Sequence, residues 1–118
     1  MEQFSITRVY SDQNGDSHFE DISLPLTSAG AIGYLSEKYN AEKLVFRKVL
    51  PGYDYAFHTA PTRQFIILLD GKIEIETSLG EKRIFSAGDV LQMEDTKGKG
   101  HKTRNLEAIE RRSIFITY

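Results

Sequence analysis

Two histidines, His58 and His101, are the residues of this chain best suited to chemistry, because imidazole titrates near neutral pH and is a common metal ligand. Each belongs to a ladder of glycines and polar residues with fixed spacing. The first ladder reads Gly52-x5-His58-x-Ala60-x3-Gln64-x6-Gly71, and the second reads Gly88-x5-Glu94-x3-Gly98-x2-His101-x3-Asn105. A lone strand histidine is usually structural, but this joint spacing favours a functional role for both imidazoles.

The two ladders resemble the paired motifs of the cupin superfamily, which read G-x5-H-x-H-x3/4-E-x6-G and G-x5-P-x-G-x2-H-x3-N. The resemblance covers about residues 44–117, and it implies an all-β fold, the double-stranded β-helix or jelly-roll cupin barrel. Motif one then lies at residues 52–71 and motif two at residues 88–105. In cupins, three histidines and a glutamate point into the barrel and hold a divalent metal.

This chain keeps only part of that metal-binding set. His58 and His101 stand at the first and last histidine positions, whereas Ala60 replaces the second histidine and Gln64 replaces the glutamate. The resemblance implies His58, Gln64 and His101 as candidate ligands of Zn, Fe, Mn or Ni. Without a metal, the same two imidazoles are candidate catalytic residues that exchange protons as acid and base.

Four polar residues are candidates for binding the substrate: Arg63, Gln64, Glu94 and Lys97. Arginine presents a planar fork that matches carboxylate or phosphate, and glutamine adds a donor and an acceptor, so Arg63 with Gln64 suits an anionic substrate. Glu94 and Lys97 lie in a loop two residues longer than the usual family form, which is a candidate lid. Glu94 is also a candidate substitute for the lost glutamate. The alternative is that Arg63 pairs with a surface acid and that Lys97 only protects a sheet edge.

Short segments rich in β-branched and aromatic residues alternate with glycine-containing turns, which predicts about nine or ten strands in one domain. In the segment 53–58, side-chain alternation predicts that Asp54 shares the face of His58. Asp54 is thereby a second candidate to replace the lost glutamate. Tyr53 and Tyr55 are predicted on the opposite face, in core or subunit packing.

In the segment 64–69, every residue after Gln64 is apolar, so both faces of the predicted strand carry apolar side chains. One face of this strand can line the barrel, but the other face then needs the opposing sheet or a second subunit to cover it. We therefore predict a homodimer. The Asp70-Gly71 pair that follows is a strong hairpin signal.

Composition narrows the classes of protein. With 118 residues and 40% hydrophobic residues, the chain predicts a single domain, 1–118, that buries its own core. The absence of cysteine excludes disulfides and thiolate chemistry. A net charge of −2 argues against nucleic-acid binding. Since the sequence shows no secretion signal and no membrane-spanning apolar run, we expect a cytoplasmic protein without a membrane partner.

These features predict a small cupin enzyme that acts on a small, polar, anionic metabolite, with isomerase, lyase and dioxygenase chemistry all open. The alternative is a non-catalytic cupin that binds a metabolite or serves as a sensor, because two metal positions are lost. A third possibility is a purely structural oligomer, which the doubly apolar strand at 64–69 would fit.

Overall fold

The structure is a computed structural model that describes residues 2–118. The chain is built almost entirely from short strands, joined by turns and one 3-10 turn at Gly30–Ile32. The strands are β1 (Gln3–Ser11), β2 (Ser17–Pro25), β3 (Thr27–Ser28), β4 (Tyr34–Leu35), β5 (Leu44–Val49), β6 (Asp54–His58), β7 (Gln64–Leu68), β8 (Lys72–Thr77), β9 (Lys82–Ser86), β10 (Val90–Glu94), β11 (His101–Asn105) and β12 (Arg111–Thr117).

Two sheets, of six and four strands, make up the barrel. The larger sheet has the order β2-β1-β10-β7-β12-β5, and the smaller sheet has the order β6-β11-β8-β9. β3 and β4 form a separate two-stranded ribbon. This layout confirms the predicted all-β jelly-roll barrel. The two sheets hold ten strands and the ribbon adds two, so residues 2–118 contain twelve strands where nine or ten were predicted. Among residues 2–118, no helix is long and apolar enough to cross a membrane.

The core lies between the two sheets, where strand alternation directs apolar side chains inward. Leu68, Leu91 and Met93 from the larger sheet and Ile73 and Ile75 from the smaller sheet are almost completely buried. Burying each of these side chains contributes about 1.5–3 kcal/mol, so this layer stabilises the barrel and fixes which residues face inward.

The predicted hairpin at Asp70-Gly71 is wrong. β7 pairs with β10 and β12 in the larger sheet, whereas β8 pairs with β9 and β11 in the smaller one. The turn therefore carries the chain from one sheet to the other. The Asp70 carboxylate stabilises the turn by accepting hydrogen bonds from the backbone N–H (2.6 Å) and Nε (2.8 Å) of Arg112.

The two faces of β7 contact different parts of the fold. Gln64, Ile66 and Leu68 face the space between the sheets. Phe65 and Ile67 face outward, into a shallow apolar groove that the N-terminal strands and the segment around β4 complete. Part of that groove remains open to solvent, because Tyr34, Leu35 and Tyr39 are about half exposed.

Candidate functional site

A cavity of about 560 Å³ opens between the two sheets. Its floor is the apolar core layer, including Ile66, Ile75 and Met93, whereas its walls carry polar and aromatic side chains. The edge strands β5 and β6, one from each sheet, both line it. A concave apolar site with a few convergent polar groups is the usual form of a small-molecule site.

His58 and His101 meet in this cavity. They are directly opposed across β6 and β11, and their ring centroids lie 4.5 Å apart. Gly100 makes this approach possible, since a Cβ at Gly100 would lie 2.0 Å from the carbonyl oxygen of His58. Gly100 also has a φ of +72°, which side-chain-bearing residues rarely adopt. The glycine before the second motif histidine is therefore required for the two imidazoles to be neighbours.

Asp95 is the partner of His101 that the sequence analysis missed. Its carboxylate is fully buried and accepts a hydrogen bond from Nδ1 of His101 at 2.5 Å. The carbonyl oxygen of Asp95 also accepts a bond from the N–H of Ala60 (3.1 Å), which holds the loop against motif one. A carboxylate that holds Nδ1–H fixes the ring orientation and leaves Nε2 as the basic nitrogen of the neutral ring.

The second imidazole has the same arrangement of nitrogens. Nδ1 of His58 donates a hydrogen bond to the carbonyl oxygen of Ala56 at 2.9 Å, so Nε2 carries the lone pair in the neutral form. Burial lowers the pKa of His58 below its ordinary value, and the neighbouring His101 lowers it further, against the opposing effect of the Ala56 hydrogen bond. His58 is therefore a neutral base at pH 7.

The prediction that the tyrosines of segment 53–58 lie on the face opposite His58 is wrong. Tyr53 and Tyr55 line the cavity together with His58, whereas Asp54 is exposed and does not. The cause is a β-bulge: His101 pairs with His58 but Thr103 pairs with Tyr55, so β6 contains one extra residue over this interval. The bulge brings Tyr55 to the face of His58, with 4.1 Å between ring centroids.

Two arginines that the sequence analysis did not select also line the cavity. Arg111 is only 1% exposed, and its Nε donates to Oδ1 of Asn105 at 2.9 Å. Arg47 lies on the neighbouring strand and donates from Nε to Oγ of Ser113 at 3.3 Å. Both guanidinium groups lie near the Tyr53 ring, at 5.5 Å for Arg47 and 5.8 Å for Arg111. Burial, followed by the charge of Arg47, lowers the pKa of Arg111.

The predicted substrate-binding residues divide into two groups. Gln64 is buried and lines the cavity with the histidines. Arg63 is exposed and lies over the ring of Tyr118 at 5.1 Å, and Lys97 is exposed on its loop. Glu94 accepts hydrogen bonds from Arg8 (Nε, 2.5 Å) and from the Tyr118 hydroxyl. The structure places Arg63, Glu94 and Lys97 outside the residues that line the cavity.

The hydrogen bonds of Glu94 determine the direction in which its pKa is shifted. Burial opposes ionisation of Glu94, but the hydrogen bonds from Tyr118 and Arg8 outweigh it and lower the pKa of this carboxyl group. Burial and the same hydrogen bond raise the pKa of Tyr118 to about 12. Glu94 is thus an ionised residue with a structural role. It pairs with Arg8 on the outer face of the six-stranded sheet, where β10 lies beside β1.

The cavity does not fit a resident divalent metal. Its nitrogen donors are the two imidazoles, and Gln64 adds only a neutral amide. Within residues 2–118 no group of three or more histidine, cysteine or acidic side chains is arranged to hold a metal ion. Asp95 does not line the cavity, and its carboxylate is bonded to Nδ1 of His101. Arg47 and Arg111 add positive charge to the same space. Zn and Fe sites ordinarily need a third histidine or a carboxylate.

Comparison with solved structures gives the fold class. The chain superimposes on the cupin domain of Drosophila melanogaster CENP-C with a TM-score of 0.51 and 14% identity, over 99% of this chain and 71% of that one. The structure described as Drosophila CENP-C bound to CAL1 matches with a TM-score of 0.51 and 15% identity, over 80% and 76% of the two chains. An RmlC-like cupin from Shewanella frigidimarina matches at a TM-score of 0.47 and 14% identity, over 100% and 96%.

The chain has the cupin fold, as the motif spacing predicts. No model of a protein family and no curated protein matches the sequence. At such low identities the structural likeness defines the architecture alone, so function must be argued from the cavity.

Proposed function

We propose that this protein is a small cupin enzyme that transfers protons on a small polar molecule bound in the cavity between its sheets. One observation carries the proposal: His58 and His101 face each other with both Nδ1 positions occupied by hydrogen bonds. Both Nε2 atoms are thereby left for chemistry. Isomerisation and elimination, rather than metal-dependent oxygenation, are the reaction types that such a pair performs.

The two imidazoles have different environments and therefore different roles. His58 is held neutral at pH 7 by burial, so it acts as the base that removes a proton from carbon or oxygen. His101 returns a proton to the substrate, and the Asp95 carboxylate compensates the charge of its imidazolium form. The apolar floor lowers the local dielectric constant, which strengthens these electrostatic interactions.

The proposal is tested by deuterium exchange in D2O containing EDTA. Small carboxylates and phosphate esters that perturb the His58 and His101 NMR signals are selected as ligands, and loss of their C–H signals is followed. We expect exchange by the wild-type protein and a loss of about 10²–10⁴-fold in His58→Gln, which lacks the base. His18→Gln is the matched control, because His18 is bonded to Asp12 outside the cavity. Cavity ligands that all fail to exchange would contradict the proposal.

The alternative is a non-catalytic binding or sensor cupin, which the alanine and glutamine at two metal positions favour. The CENP-C cupin domain described with CAL1 is an instance of this architecture in a protein complex. Ligands that bind with unchanged affinity in His101→Gln, without C–H exchange in the wild type, would support this alternative.

We also propose that the protein forms a homodimer through the outer groove over β7. Phe4, Tyr34, Leu35 and Tyr39 leave apolar surface exposed there, and a second copy would cover it. Light scattering should give the dimer mass for the wild type and the monomer mass for Leu35→Lys. A monomer mass for the wild type at micromolar concentration would rule out this assembly.

A further inference from the structure

The guanidinium group of Arg111 lacks the partners that a buried charge needs. Both of its terminal nitrogens are buried, and within residues 2–118 neither has a hydrogen-bond acceptor. Buried charged groups are normally paired with an opposite charge, because desolvation is costly. The carboxylate of Asp70 favours the charged form of Arg111 from a distance, but it makes no hydrogen bond to these two nitrogens, which are left for an acceptor from outside this part of the chain.

A second arginine doubles the positive charge at the same place. Arg47 is half-buried on the adjacent strand, and it lies over the ring of Phe115 at 4.6 Å as well as near Tyr53. No aspartate or glutamate of residues 2–118 lines this cavity to neutralise the pair. Two adjacent guanidinium groups repel each other unless an anion lies between them.

The surrounding residues hold Arg111 in one position. Asn105, the last residue of motif two, accepts from its Nε and is itself bonded through its N–H to the carbonyl oxygen of Tyr53 at 2.7 Å. Gly71, the last residue of motif one, leaves room for the stem, since a Cβ there would lie 3.2 Å from Cγ and Cδ of Arg111. The last residues of the two motifs thus hold the guanidinium group of Arg111 in a preorganised position.

We propose that Arg111 and Arg47 form an oxyanion subsite that binds the carboxylate or phosphate group of the substrate. This assignment rests on the proposed function, and it names the class of substrate: a compact molecule that carries a carboxylate or phosphate group. The arginines lie on β12 and β5 of the larger sheet, whereas the histidines lie on β11 and β6 of the smaller one. A molecule anchored by its anionic end on one sheet presents its reacting end to the imidazoles on the other.

Arginine suits this role because its fork donates two parallel hydrogen bonds to carboxylate or phosphate. Since the terminal nitrogens of Arg111 are closed to solvent, entry of an anion requires a neighbouring side chain to move. Arg47 is the one suited to do so, being half-buried on an edge strand. Its movement toward the anion would complete the subsite.

Calorimetric titration with inorganic phosphate and with malonate tests the subsite directly. We expect the wild-type protein to bind at least one of these anions, with affinity reduced about tenfold to a hundredfold in Arg111→Met. Tighter binding of phosphate would indicate a phosphate ester as substrate, and tighter binding of malonate a carboxylate. Arg112→Met is the matched control, because Arg112 is exposed, paired with Asp70 and should leave affinity unchanged.

Arg47→Met provides a second variant in case Arg111→Met fails to fold, and the same weakening of anion binding is expected. His58→Gln separates this inference from the proposed function, since it should slow C–H exchange while anion binding persists. The subsite is overturned if neither anion binds the wild-type protein, or if Arg112→Met weakens binding as much as the cavity variants do.

Discussion

Replacing Arg111 by methionine should make the folded protein more stable, although the residue is almost completely buried. Methionine keeps the apolar stem that packs against Gly71 and removes the charged head. Buried ionic groups replaced by apolar residues of similar volume often leave a protein equally or more stable. The expected effect therefore has the opposite sign to that of most core substitutions.

The magnitude follows from the hydrogen bonds of the guanidinium. Each of its two unpaired terminal nitrogens costs about 1–3 kcal/mol, so their removal relieves about 2–6 kcal/mol. The substitution also loses the Nε bond to Asn105 at 2.9 Å, which contributes about 1.5–3 kcal/mol because the donor is charged. From the midpoints of these two ranges, the balance is a gain of about 2 kcal/mol in the free energy of unfolding.

Urea denaturation followed by circular dichroism measures this difference, with the slope m checked for constancy between variants. Arg112→Met is the control and should leave stability nearly unchanged, since exposed ion pairs contribute little. Whichever of phosphate and malonate binds should then stabilise the wild type more than it stabilises Arg111→Met. Destabilisation of Arg111→Met by more than about 1 kcal/mol would refute the reasoning, because the guanidinium would then have a satisfying partner.

Three further predictions concern the histidine side of the cavity. In urea denaturation, Gly100→Ala should destabilise the fold by at least about 3 kcal/mol, since its Cβ would overlap the carbonyl of His58. The control Gly80→Ala has a φ of +91° but open space around the new Cβ, so it should cost only about 1–2 kcal/mol. Because folding lowers the pKa of His58 below 6.5, the unfolded state binds the proton first as the pH falls, so the free energy of unfolding should decrease below about pH 6.5. In His58→Asn the free energy of unfolding should depend less on pH, and an equal pH dependence in both proteins would contradict the assigned direction of the pKa shift. Elemental analysis of the untagged protein should find metal well below one equivalent, and EDTA should leave anion binding unchanged; a full equivalent that is lost in His58→Ala would contradict the interpretation of the donor set.

The fold could be predicted from the sequence because the motif spacing reflects the lengths of strands and turns. The ladders that contain His58 and His101 place both histidines in strands, and the structure pairs those strands. The Asp70-Gly71 hairpin was wrong for a physical reason. A turn dipeptide specifies local backbone geometry, but partner choice depends on packing of the two sheets, which no local pattern contains.

The cavity walls were less predictable than the two histidines. The bulge in β6 depends on its pairing with β11, so alternation alone put Tyr55 on the wrong face. Asp95 follows the end of a strand and is buried only because its loop folds back onto Ala60. Arg111 is the first residue of β12, and its side chain alternates onto the same face as those of Ser113 and Phe115. A predicted strand that began at Arg111 would have placed this arginine facing inward.

The central claim is that two imidazoles with free Nε2 atoms share one ligand cavity, and long-range ¹H–¹⁵N NMR of the histidine rings tests it most directly. At pH 7 we predict that His58 is neutral with its proton on Nδ1, that Nδ1 of His101 is protonated, and that bound malonate or phosphate shifts both Nε2 signals. A His58 ring protonated on Nε2, or histidine signals that ignore an anion bound to the protein, would contradict the account.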